Sequence, residues 1–187
     1  MKSDNFLLIK KMASEKVSIY KTLNFILEFK FKHFNFYNEI YYLRKTKKFD
    51  LMLLTISKYI NSNLKKKNLS FSILLTNDAE IKDINLKYRN LNKPTNVLSF
   101  KSMIDKNNYF KNSKQEIYLG EIIISMERIF CESKINNVLF KDHFIHIFLH
   151  AILHILGYDH EIESERKKME NIEISILKSL GIKNPYV

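Results

Sequence analysis

A mixed α/β or α+β domain is the fold class this sequence predicts, and three observations carry the prediction. Short apolar runs of strand length are interspersed with longer segments whose apolar residues recur at helical spacing. A chain of 187 residues is the size of one ordinary domain and can bury a real core. No internal repeat or low-complexity linker divides it, so a single domain over residues 1–187 is expected. With only 3 Gly and 2 Pro, each of those residues is informative.

Taken in order, residues 1–34 are ambiguous. Phe25, Ile26, Leu27, Phe29 and Phe31 fit a strand or one face of a helix. From about residue 50 to 64, Leu51, Leu54, Tyr59 and Leu64 recur near helical spacing. The Lys65-Lys66-Lys67 run after them suits a helix C-terminus, or is simply a solvated end. Residues 71–76 read as a buried strand. Asn77 or Asp78 can accept from the free N–H groups of the next helix, which carries Ile81, Ile84 and Tyr88 and is stopped by Pro94. Residues 97–100 read as a second strand and 102–117 as a polar loop. Residues 118–125 form a third strand, with Gly120 at a bulge or close approach. A short helix follows at about 126–132. Residues 140–156 are long, apolar and rich in Leu, Ile and Phe, and they end at Gly157, a good left-handed cap. They read as a buried helix. The last helix, 161–180, sets Met169, Ile172, Ile176 and Leu180 on one side and closes at Gly181, ahead of Pro185.

Hydrophobic residues at 45% and charged residues at 27% describe a soluble globular chain, neither disordered nor fibrous. No stretch approaches the ~20 apolar residues of a membrane span. The first apolar run, residues 6–9, is cut by Lys10 and Lys11 and is too short for a secretory signal. The cytoplasm is therefore the expected location, with no membrane partner. The single cysteine, Cys131, excludes an intramolecular disulfide and a Cys-rich metal site, so a transition metal must use His, Asp or Glu. Cys131 itself is expected to be a small buried apolar residue. The formal charge of +11 suits a polyanion such as RNA, through phosphate attraction and counterion release. Yet the lysines are scattered, and drift in coding composition toward Lys, Asn, Ile and Phe produces the same charge. Charge alone leaves both origins open.

The chemistry lies in the histidines. Five of the six fall between His143 and His160. His150 and His154 are four apart on the predicted buried helix, which puts both imidazoles on one face with Cβ atoms about 6 Å apart. That suits two nitrogens that must each reach a zinc ion at about 2.0–2.1 Å. The next helical turn points away from a tetrahedral centre, so a third ligand must come from beyond the helix. Gly157 permits a sharp reversal, and His160 lies just past it. His150, His154 and His160 are thus the expected ligands of one zinc ion, leaving the fourth position open as catalytic sites require. His143 and His146 share the helix side and are expected to support the ligands or pack in the core. His33 has no partner in view. The spacing also matches the metzincin protease pattern H-E-x-x-H-x-x-G-x-x-H, except that Ala151 stands where the Glu general base should be. That argues against a conventional protease.

The stretch His150-Ala151-Ile152-Leu153-His154-Ile155-Leu156-Gly157-Tyr158-Asp159-His160 closely resembles the YbeY family signature H-G-x-L-H-L-x-G-Y-D-H. A second block agrees: Tyr88-Arg89 at a helix end, then Pro94-Thr95-Asn96-Val97-Leu98-Ser99-Phe100. Leu119-Gly120-Glu121-Ile122 is similar to the family's L-G-[DE]-[IV] strand, and Leu180-Gly181 through Pro185-Tyr186 to its C-terminal end. The resemblance runs from about Phe71 to the end, and residues 1 to about 30 read as an extension. Two positions depart from the pattern: Ala151 replaces Gly, and Lys101 replaces Pro. The resemblance implies one mixed domain with a sheet of about four strands covered by helices. It also implies zinc, single-stranded RNA or rRNA as substrate, no role on DNA, and work with the small ribosomal subunit and its assembly factors as an rRNA maturation endoribonuclease.

For phosphodiester hydrolysis, positive charge is needed against the phosphate oxygens, and arginine supplies it as a bidentate fork. Arg89 is the catalytic candidate; a structural ion pair is the alternative role for it. Asp159 either orients a ligand histidine or shapes the turn. No residue stands out as a general base. Three other functions stay in view: a metalloprotease with its base supplied from outside the motif, a non-catalytic zinc-stabilised ribosome-assembly module, and a hydrolase of small substrates that would not need the basic surface.

Overall fold

Strand β4 (Asn68–Thr76) is buried on both faces along nearly its whole length, the mark of a strand inside a sheet covered on both sides. The structure, a computed structural model, describes residues 6–12, 15–22, 25–31, 47–60, 68–102 and 116–187. Strands β1 (Phe6–Met12), β2 (Glu15–Thr22) and β3 (Phe25–Phe31) form an antiparallel meander. β3 then runs parallel to β4, and β4 runs parallel to β6 (Glu116–Ser125). β5 (Val97–Lys101) closes the far edge antiparallel to β6, giving the order β1-β2-β3-β4-β6-β5. The sheet therefore has six strands where about four are expected. The additional strands come from the N-terminal stretch, and the ambiguous run at 25–31 is a strand.

The helices divide between the two faces. α1 (Lys47–Ile56), α3 (Met126–Ile135), α4 (Phe140–Leu156) and α5 (Glu163–Ser179) pack with Phe71, Ile73 and Leu75 of β4 and with Ile122 and Ile124 of β6 into the main core. α2 (Asp78–Arg89) covers the opposite face through Ile81, against Leu98 and Ile123. α4 is the centre of the main core: Phe144 and Phe148 stack at 5.8 Å, and Phe148 meets Phe71 at 6.3 Å. Burying such a side chain contributes roughly 1.5–3 kcal/mol each. Among the described residues no single helix is long and apolar enough to cross a membrane.

Gly120 explains how β6 keeps one face on the core. Ile117 and Leu119 point into the main core, and so do Ile122 and Ile124, although the two pairs differ in parity. The pairing with β4 shifts between Ser70 and Phe71, opposite Tyr118 and Gly120, so Leu119 is the extra residue of a bulge. Gly120 has φ +144, and a Cβ there would lie 2.1 Å from the Phe100 carbonyl oxygen. Both the bulge and the close approach are present.

Other expectations need adjustment. α1 buries Met52, Leu53 and Ile56, and Ile60 just after it is buried too, while Leu51 and Leu54 are exposed, so the inward stripe is rotated from the one expected. Leu64 and the Lys65-Lys66-Lys67 run lie outside the described residues, as does His33. α2 is capped by the Asn77 side chain, which accepts from the Glu80 N–H at 2.9 Å. It ends at Asn90, whose left-handed φ of 57 caps it four residues before Pro94. Tyr88 turns outward, its ring edge-on to Phe100 at 5.1 Å. β6 starts at Glu116, and most of the expected loop lies outside the described residues. Lys101 pairs with Gly120 as the last residue of β5, so the departure from Pro leaves that strand end intact. Cys131 is exposed on α3, contrary to its expected burial.

Candidate metal centre

α4 runs unbroken because its sequence is apolar on nearly every side, and Gly157 stops it in a left-handed conformation of φ 98. The cap returns two hydrogen bonds: Gly157 N–H donates to the His154 carbonyl at 2.9 Å and Tyr158 N–H to Leu153 at 3.0 Å. The Tyr158 hydroxyl donates to the Tyr59 carbonyl at 2.9 Å and ties the turn to the segment after α1. The Asp159 carboxylate accepts from the His160 backbone N–H at 2.7 Å, so it shapes the turn. This local structure brings the His160 ring to 5.5 Å from His150 and 4.8 Å from His154, with His150 and His154 4.6 Å apart. One nitrogen from each of the three lies within 4.8 Å of the others, so the cluster can hold a metal ion.

Hydrogen bonding fixes the tautomers. His150 Nδ1 faces a carboxylate oxygen of Glu173 at 2.8 Å, and His154 Nδ1 faces the Tyr158 carbonyl at 3.1 Å. Both partners accept only, so each neutral ring carries its proton on Nδ1 and leaves a lone pair on Nε2. Those two Nε2 atoms lie 3.1 Å apart. Two lone pairs at that separation repel unless a cation or a proton lies between them. Burial, with His150 and His160 beside it, pushes the His154 pKa down to about 4, so a proton is disfavoured. Two nitrogens on one tetrahedral zinc at 2.0–2.1 Å would sit ~3.3 Å apart, so the donor set fits that ion.

Glu173 is the residue that sequence reasoning missed. It has no solvent exposure. Besides His150 it accepts from the Tyr186 hydroxyl, and His146 Nε2 lies 3.7 Å away. Burial alone would raise its pKa; the nearby His146 ring and the hydrogen bonds from His150 and Tyr186 outweigh it and bring the carboxyl down to about 2. Burial and the Glu173 carboxylate together push the Tyr186 hydroxyl up. A signal existed: Glu173 falls between Ile172 and Ile176 in the buried stripe of α5, where a carboxylate has no place without partners. His143 is buried and bonds to Glu132 at 2.8 Å, away from the cluster.

A cleft of about 430 Å³ opens beside His154 and His160, lined also by Arg89, Ser99 and Lys101, with Asp159 and Glu161 at its acidic side. A second hollow of about 360 Å³ shares Arg89, Ser99, His154 and His160 and adds His150 and Tyr186. Arg89 therefore faces the histidines from the end of α2, and it forms no ion pair with a described residue. Ser99 and Lys101 reach the same side because alternate residues of β5 share a face, while Leu98 and Phe100 turn to the α2 side.

The family model described as Endoribonuclease YbeY matches residues 35–181. Among curated proteins, an Endoribonuclease YbeY from Ehrlichia canis (strain Jake) is 42% identical over 146 residues, covering 78% of this chain and 88% of that protein. Another, from Anaplasma phagocytophilum (strain HZ), is 42% identical over 116 residues, covering 62% and 70%. The solution structure of a Thermotoga maritima protein is 21% identical and covers 75% of this chain and 94% of its own, at a TM-score of 0.42.

Proposed function

The chain belongs to the YbeY family, and from that premise we propose that it is a zinc-dependent, single-strand-specific endoribonuclease that matures small-subunit rRNA. The observation that carries the proposal is the pair of Nε2 lone pairs held 3.1 Å apart in a hollow that also receives Arg89. Three imidazoles without a thiolate or carboxylate favour zinc over a harder cation. His150, His154 and His160 hold it; Glu173 and the Tyr158 carbonyl keep two of those rings turned toward it. When bound, zinc supplies Lewis acidity to the scissile phosphodiester. Arg89 sets its planar fork against the phosphate oxygens and offsets the charge that builds on them.

Ala151 is fully buried and has no proton acceptor, which weighs against peptide hydrolysis. In this proposal the whole chain, residues 1–187, acts as one domain in the cytoplasm, beside the small ribosomal subunit and its assembly factors. Neither DNA nor a membrane is its partner.

The test is cleavage of a single-stranded RNA by protein of measured zinc content. His154→Ala should lose both zinc and cleavage, and full zinc occupancy in that variant would refute the ligand assignment. Arg89→Ala should keep zinc and lose cleavage by about 100-fold or more. An undiminished rate would remove Arg89 from the chemistry. Stoichiometric zinc with RNA binding but no cleavage in the wild type would point to an assembly factor that uses zinc only for its fold.

A further inference from the structure

Lys101 sits in the cleft for a reason that lies in the turn opposite. Its ammonium nitrogen lies 2.9 Å from the point a Cβ on residue 157 would occupy. Any residue but glycine at that position would push the ammonium away. Gly157 thus has two effects: it ends α4 and it leaves room for a cation over the turn between His154 and His160. The Lys101 backbone is fixed by its pairing with Gly120, and Ser99 lies on the same face of β5. Arg89 lines the same cleft from α2. Lys101 forms no ion pair with a described carboxylate, although Asp159 and Glu161 line the cleft too. An ammonium that shares a cleft with two carboxylates and pairs with neither is available to an anionic ligand.

We propose that Lys101 is a second phosphate contact of the cleft, binding the RNA backbone at a nucleotide next to the scissile one. This rests on the endoribonuclease function proposed above and names a residue that sets the strand's position. Arg89, a planar fork, suits the reacting phosphate. Lys101, a point charge on a flexible stem, suits a neighbouring phosphate that needs only to be held. A contact of this kind carries no base preference. It contributes to affinity through counterion release, and its removal shows as a change in salt dependence.

The experiment uses the zinc-loaded full chain and a single-stranded 2′-O-methyl oligoribonucleotide as a binding probe, titrated over a range of KCl concentrations. Lys101→Gln should lower the slope of log Kd against log salt by about 0.7, the value for one phosphate contact on a single strand. Lys101→Arg should restore the slope. Zinc content should stay at one ion per chain in both variants, and with cleavable RNA the loss in Lys101→Gln should fall mainly in KM. An unchanged slope beside intact wild-type binding would overturn the Lys101 assignment alone. So would a loss of zinc, or a fall confined to kcat, since either would make Lys101 a support of the His160 turn. Failure of the wild type to bind the probe at any salt concentration would overturn the endoribonuclease proposal itself.

Discussion

Glu173 shows how one side chain can decide what a cluster of histidines is for. A carboxylate with no exposure costs several kcal/mol unless its charge is met, and here it is met by His150, His146 and Tyr186. In return it fixes the proton of His150 on Nδ1 and raises the basicity of Nε2. Glu173→Gln keeps the shape and an acceptor for His150 but removes the charge. Zinc affinity should fall about 10- to 100-fold, measured by competition with a chromophoric chelator. Equal affinities in the two proteins would make Glu173 a packing feature only. The clustering of His150, His154 and His160 was legible, because spacing on a helix converts directly into distance and Gly157 announces the reversal. Glu173 was not, because a stripe is read by its apolar members and Met169, Ile172 and Ile176 mask the residue among them. Cys131 misled for the opposite reason: its average preference for burial says nothing of which way α3 faces.

Between elements, the junction of α3, α4 and the segment before β5 depends on one carboxylate. Glu132 accepts from His143 Nε2 of α4 at 2.8 Å and from Asn96 Nδ2 at 3.1 Å. Burial would raise the Glu132 pKa, but these two hydrogen bonds, with the charge of His143 and Arg128, hold it below the ordinary value. A carboxyl depressed in the folded state stabilises fully above its unfolded pKa, and that contribution is lost as pH falls through the folded pKa. Metal-free wild type should therefore lose unfolding free energy more steeply than metal-free Glu132→Gln as pH drops from about 6 to about 3, spanning the carboxylate range. Parallel urea-unfolding curves across that range would mean the junction is held by packing alone. Element reading succeeded where a boundary residue has a mechanism, as at Asn77 before α2 and Gly157 after α4. It slipped where several stripes were available. In α1, Leu51 and Leu54 compete with Met52 and Leu53, and only the packing of the main core selects the second pair.

For the whole molecule, the question is whether the zinc proposed above would hold the fold or only work in it. All three candidate ligands fall within residues 150–160, so an ion there closes no long loop. Among the described residues the main core draws on α1, β4, β6, α3, α4 and α5, and its members are apolar side chains rather than the histidines. That differs from small metal domains, in which the ion replaces a core and its removal unfolds the chain. The N-terminal strands add to the argument. They were illegible in the sequence because short apolar runs suit a strand or a helix equally, yet β3 pairs along β4 and extends the sheet far from the site. The expectation is that dialysis against a chelator leaves the far-UV circular dichroism unchanged while lowering the melting temperature. Zinc at a thousandfold excess over its Kd adds about 4 kcal/mol. At about 2–4 °C per kcal/mol for a chain of this size, the shift should be roughly 8–16 °C. Collapse of the circular dichroism on chelation would instead make the ion structural and favour a zinc-stabilised assembly factor. A folded metal-free chain that binds RNA but does not cut it leaves the ion free for chemistry, as an endoribonuclease requires.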